Sequence, residues 1–136
     1  ATDVKAPLAS PAKYGAVIGL PGRGEEFVGK IRRSIEMAIE KAPIIEVRTT
    51  LVPTLITEDD ILAIGHELAD MGLGRRPNAY YVLQQFFPAG TLMDPSFANV
   101  RRVPAEELVR IAKKVVAEAG LKHVYVRTQE MGVVKA

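Results

Sequence analysis

The chain has 136 residues, a length that suits one domain with a core of its own. Apolar residues make up 48% and charged residues 25%, which excludes a disordered chain, and no apolar run of about 18 residues is present to span a membrane. The 18 basic and 16 acidic residues leave a net charge of +2, too balanced for a nucleic-acid footprint, and the absence of cysteine excludes disulfides, thiolate metal ligands and cysteine nucleophiles from these residues.

Residues 1–8, ATDVKAPL, read as a short strand cut off by Pro7. Phe27, Ile31, Ile35, Ala38 and Ile39 then fall at spacings of three and four, which predicts a first helix. Residues 44–52, IIEVRTTLV, are rich in β-branched side chains and closed by Pro53, a second strand. Ile61, Ile64, Gly65, Leu68 and Met71 set out a second helix. Thr57 and Asp60 are spaced for a cap at its start, and Gly72 and Gly74 stop it. Residues 79–87, AYYVLQQFF, form a third strand before Pro88. Pro104 suits the first position of a third helix, whose stripe is Leu108, Ile111, Ala112, Val115, Val116 and Ala119, ended by Gly120. Residues 121–128, LKHVYVRT, close the series as a strand.

Strands alternating with helices predict right-handed βαβ units and a parallel sheet in a single α/β domain, residues 1–136. About four parallel strands with three crossover helices fit either an open doubly wound sheet or a partial (half) TIM-type barrel. The second strand favours the barrel. One of its alternating sets is Ile45, Val47, Thr49 and Leu51; the other carries Glu46, Arg48 and Thr50. A strand covered on both faces should be almost wholly apolar, whereas one facing a lumen can carry a polar set.

Several residues are candidates for chemistry. Asp3 and Lys5 share a strand face and present a carboxylate beside an ammonium, a pair suited to the two ends of an amino acid or to a surface ion pair. Arg48, mid-strand, can grip a carboxylate or phosphate bidentately or pair with Glu46 two residues away. Gln84 and Gln85 can read an adenine edge or a ribose, or bridge strand ends. The GLPGRG run at 19–24 precedes a helix, but it matches neither phosphate-loop fingerprint and reads best as a plain loop. His66 and His123 read as packing or surface residues, and Arg32–Arg33 and Arg101–Arg102 as solvated charge. No metal site is expected.

An ordered set of short motifs adds to this reading. DVKAPL at 3–8, KY at 13–14, Gly19, SIE at 34–36, VRTTLVP at 47–53, TEDDI at 57–61, YVLQQF at 81–86, TLMDP at 91–95 and VYVR at 124–127 run in sequence over nearly the whole chain. Together they resemble the C-terminal half of a radical S-adenosylmethionine enzyme of the glycyl-radical-activating type. That group includes the activases of pyruvate formate-lyase and of anaerobic ribonucleotide reductase, and their archaeal relatives. The resemblance implies the later strands of a partial α/β barrel. It implies that Asp3, Lys5 and Arg48 bind S-adenosylmethionine, with Gln84 and Gln85 contributing at the strand end.

The same resemblance implies a 4Fe-4S cluster held by three cysteines in an earlier loop, which reduces S-adenosylmethionine to release a 5′-deoxyadenosyl radical and activate a glycyl-radical enzyme. These 136 residues contain neither the cysteines nor the earlier strands. The chain alone is therefore expected to be inactive, and opening on Ala1 rather than Met suggests a fragment or processed product. The expected partners are a missing N-terminal half or partner chain that supplies the cluster, a glycyl-radical enzyme, and a second copy of the chain in a homo-oligomer. No membrane or nucleic acid is expected, and the location expected is cytoplasmic. The alternative is a non-catalytic α/β interaction module that assembles through an open sheet edge.

Overall fold

A computed structural model describes residues 1–87 and 102–136; the TLMDP motif at 91–95 and Arg101 lie outside the described residues. The strands β1 (Thr2–Asp3), β2 (Ile45–Leu51), β3 (Ala79–Gln85), β4 (Val124–Thr128) and β5 (Gly132–Lys135) form one sheet in the order β1-β2-β3-β4-β5. The first three pairings are parallel and the last is antiparallel. Helices α1 (Pro11–Val17) and α2 (Gly24–Lys41) join β1 to β2, α3 (Glu58–Asp70) precedes β3, and α4 (Ala105–Ala119) precedes β4.

Among the described residues, the expected α/β chain of four parallel strands holds, with two corrections. The first crossover contains two helices, not one, so four helices accompany the parallel strands. A fifth strand, β5, folds back on β4, with Arg127 opposite Val133 and Thr128 opposite Gly132. Gly132 takes a φ of +66° just after the turn, a conformation that only glycine adopts without strain.

The parallel strands follow one another in sequence order, whereas a doubly wound sheet reverses direction at a switch point. The core is correspondingly one-sided. Val47, Leu51, Tyr81, Leu83, Val124 and Val126 are buried in one cluster with Ile35, Ile61, Ile64, Leu68, Leu108 and Val115 from the helices. The other sheet face carries Glu46, Arg48, Thr50, Tyr80, Gln84, Tyr125 and Arg127, all half-buried. Strand β2 alternates between the two faces without exception, as the sequence predicts. Val82 is the apolar exception on the polar face, 2% exposed.

Local chemistry fixes the helices. Thr57 and Asp60 form a full capping box on α3. The Thr57 hydroxyl accepts from the Asp60 amide, and the Asp60 carboxylate accepts from the Thr57 amide. Asp60 also pairs with Lys13 of α1, tying the two helices together. At the other end of α3, Gly72 turns the chain at φ +100°. Gly65 lets α4 approach closely, since a Cβ there would lie 2.9 Å from Val115 Cγ1. Pro104, predicted as the first helical residue, is instead the N-cap of α4, which begins one residue later at Ala105.

Asp60 gives the fold an acid-sensitive joint. Partial burial raises its pKa, but the bonds from Lys13 and Thr57 outweigh that effect and hold it below the usual aspartate range. A carboxylate depressed in the folded state stabilises above its unfolded value of about 3.9 and loses that contribution as pH falls through the folded value. Thermal melts between pH 6 and pH 2 should therefore show the gap between wild type and Asp60→Asn narrowing steadily below about pH 4. A constant gap would show that the carboxylate's charge is not what ties α1 to α3.

Candidate functional site

The site lies on the polar sheet face, running from the end of β1 across the middle of β2. Strand register puts Asp3 beside Arg48, Arg48 beside Val82, and Thr50 beside Gln84. Ionic contacts then run across the face. Lys5 Nζ lies 3.4 Å from Asp3 Oδ2, and Arg48 Nε donates to Asp3 Oδ1 at 2.9 Å. Arg48 Nε also lies 3.8 Å from Glu46 Oε2, while Arg127 reaches Glu46 Oε1 at 3.3 Å. Three cations and two carboxylates leave this row with an excess of one positive charge.

Arg48 is the pivot. Its Nε donates to Asp3 and lies near Glu46, and its two terminal nitrogens make no hydrogen bond among the described residues. They are the fork with which arginine grips a carboxylate. The ion pair with Glu46 and a fork unpartnered among the described residues thus coexist on one side chain.

Beside this row, a cleft of about 400 Å³ opens between Lys5 and Thr50, walled by Val17, Ile18, Val52, Leu55 and Ile56. An apolar cleft with a few convergent polar groups is the usual form of a small-molecule site. Tyr14 closes the outer side of β1, where its hydroxyl accepts from the Lys5 amide at 3.4 Å. Burial pushes the Tyr14 pKa up, so the phenol stays protonated. The loop after β1 is pinned from below by Glu67 of α3, whose carboxylate accepts from the Leu8 and Ala9 amides at 2.8 and 2.7 Å.

Asp3, Lys5 and Arg48 therefore come together in direct contact. Gln84 shares their face and meets Thr50, whose hydroxyl lies 3.4 Å from the Gln84 carbonyl oxygen. Gln85 does not join them. It points to the helix-covered face, 4% exposed, where its amide nitrogen donates to the Val103 carbonyl and its oxygen accepts from the Gln129 amide. Consecutive strand residues face opposite sides, so the two glutamines could not share one site. Glu46, Thr50 and Arg127 also belong to the face. Their positions in the strand and motif patterns are plain in the sequence, but nothing in their spacing marks them as site residues.

The other candidates fall elsewhere. In the GLPGRG loop, the Arg23 guanidinium is held by Glu26 at 3.0 Å and lies over the Phe27 ring. His66 is exposed on α3, and His123 packs edge-on against Tyr80. Among the described residues, no cluster of histidine and carboxylate side chains is arranged to hold a metal ion, and no helix is long and apolar enough to cross a membrane.

Fold and site together define an α/β protein with sequentially ordered parallel strands, a one-sided core and an ionic row across the polar sheet face. The chain is similar to a Methanocaldococcus jannaschii protein provisionally named a glycyl-radical enzyme activating enzyme, with 29% identity over 116 residues. The match covers 85% of this chain and 44% of that protein, so the chain spans less than half the length of its relative. This bears out, at low identity, the relationship to activating enzymes that the motifs suggest. No protein-family model and no solved structure matches the chain.

Proposed function

We propose that this chain is the S-adenosylmethionine-binding, C-terminal portion of a radical activase that acts on a glycyl-radical enzyme. The observation that carries this reading is the fork of Arg48, unpartnered among the described residues and set beside Asp3 and Lys5 on the half-buried polar sheet face. The amino-acid end of S-adenosylmethionine is a zwitterion, and these residues fit it. Arg48 and Lys5 would take its carboxylate, and Asp3 or Glu46 its ammonium. Gln84 and Thr50 would add neutral contacts at the strand ends; Gln85, committed to two backbone partners, is left out of the set.

The iron–sulfur cluster is a different matter. Its thiolate ligands have no counterpart among these 136 residues, which contain no cysteine. In this reading the cluster is supplied by a missing N-terminal half or by a partner chain, and these residues contribute ligand binding, not radical formation. The sequence-ordered strands and one-sided core support the later portion of a partial barrel, with the polar face as its lumen. The 44% coverage of the relative is consistent with part of a longer architecture.

A second reading, a non-catalytic module that assembles through its sheet edge, is favoured by one observation. A groove of about 510 Å³ runs along the outer side of β1, with Ile18, Leu20, Phe27 and Ile31 in its wall. Apolar surface beside a strand edge suits an added strand, whether from the missing half or from a second copy.

Calorimetric titration of the 136-residue chain with S-adenosylmethionine separates the two readings. Saturable heat that is competed by methionine is the expected result. No heat up to millimolar ligand would leave the module reading in place and remove the first.

A further inference from the structure

The contact between β1 and β2 ends in an unusual way. The strands are in register at Thr2–Val47 and Asp3–Arg48, and the pairing stops there. The Val4 amide still donates to the Arg48 carbonyl at 2.8 Å. The Val4 carbonyl, however, accepts from a side chain, the Thr49 hydroxyl, at 2.8 Å. The Tyr81 hydroxyl on β3 donates in turn to Thr49 Oγ1 at 2.9 Å.

This three-strand relay is buried. Thr49 is 1% exposed and Tyr81 fully buried, within a stripe whose other β2 members are Ile45, Val47 and Leu51. A valine would fill the Thr49 position with nearly the same volume, so the hydroxyl serves something other than packing. A buried hydroxyl is costly unless bonded, and here it is bonded on both sides. Val4 is also the residue between Asp3 and Lys5. The carbonyl gripped from beneath therefore belongs to the turn of backbone that aims both charged side chains. Just past the end of the β1–β2 pairing, the 400 Å³ cleft opens between Lys5 and Thr50.

We propose that Thr49 and Tyr81 are positioning residues: their hydrogen-bond relay holds the Val4 carbonyl against β2 where the β1–β2 pairing ends, and so sets Asp3 and Lys5 for the ligand. This rests on the reading of the row as an S-adenosylmethionine site, and the test separates the two. Tyr81 keeps its proton because burial raises its pKa strongly, so it remains the donor at the head of the relay.

The experiment compares wild type with Thr49→Val, Thr49→Ser and Tyr81→Phe. Two quantities are measured: calorimetric affinity for S-adenosylmethionine, and amide hydrogen exchange read residue by residue. Thr49→Val should weaken binding by roughly 5- to 10-fold, the worth of one buried hydrogen bond that sets geometry. Exchange should quicken selectively at Val4 and Lys5, while the β3 and β4 amides hold. Thr49→Ser, which keeps the hydroxyl, should restore both quantities to near wild type. Tyr81→Phe, which leaves the Thr49–Val4 bond, should shift them in the same direction by less.

Wild-type affinity in Thr49→Val, or exchange that quickens evenly across the sheet, would overturn the proposal by reducing the relay to ordinary core structure. Should the wild-type chain fail to bind S-adenosylmethionine, selective loosening at Val4 and Lys5 would uphold the positioning role and refute the ligand. If Thr49→Val does not fold, Tyr81→Phe and Thr49→Ser decide by the same two measurements.

Discussion

Replacing Arg48 with methionine should weaken S-adenosylmethionine binding by roughly 10- to 100-fold while leaving the fold almost untouched. The size of the effect comes from the terminal guanidinium nitrogens. They have no hydrogen-bond partner among the described residues, which leaves them open to bond the proposed ligand. A hydrogen bond to a charged group is worth about 1.5–3 kcal/mol, and methionine keeps the aliphatic stem but removes the fork. The stability cost is small because the Arg48 contacts to Asp3 and Glu46 are partly exposed, and such pairs contribute roughly 0–1 kcal/mol. Arg48→Lys should fall between the two, since an ammonium keeps the charge but not the planar pair of donors. Isothermal titration of the three proteins, each checked by thermal melt, reads the outcome. Equal affinities would mean that Arg48 serves only its neighbours on the sheet.

The largest effect on stability should come from Gly24→Ala. Helices α1 and α2 meet at their glycines. A Cβ added to Gly24 would lie 1.7 Å from the Pro11 carbonyl oxygen and 2.6 Å from its carbon, and one on Gly15 would lie 2.9 Å from the Leu20 carbonyl oxygen. Both obstacles are backbone, so no rotamer change relieves them. The helices must part, and with them go the buried contacts of Tyr14 and Val28. Overpacking inside a well-filled core costs about 1–3 kcal/mol, and a backbone clash should reach or exceed the top of that range. Denaturant melts should show Gly24→Ala less stable by at least about 3 kcal/mol. Gly65→Ala should cost less, because its obstacle at 2.9 Å is the end of the Val115 side chain. A Gly24→Ala protein as stable as wild type would show that α1 and α2 do not pack this closely.

The features legible in the sequence are those whose signal is local. The alternation of Ile45, Val47, Thr49 and Leu51 with Glu46, Arg48 and Thr50 is set by the pleat alone, and it is enough to put Arg48 on an open face. The capping box of Thr57 and Asp60 is legible for the same reason. Helix α1 is not: seven residues that start at Pro11 and contain Gly15 carry too little periodicity, and the helix depends on packing against α2. Strand β5, four residues long, has a glycine at its start and exists because β4 offers an edge. The pairing of Gln84 with Gln85 contains its own correction, since adjacent strand residues cannot share a face. Thr49 and Glu67 are invisible as partners of the Val4–Ala9 segment, and Tyr81 as the partner of Thr49, because the contacts join residues more than thirty positions apart.

Chemical-shift mapping of isotopically labelled protein during titration with S-adenosylmethionine tests the central claim most directly. The account predicts that the perturbed resonances centre on Asp3, Lys5, Arg48 and Thr50, with Gln84 at the margin and Gln85 unmoved beyond it. Perturbations gathered instead at the 19–24 loop, or scattered over the helix-covered side with none at Arg48, would contradict it.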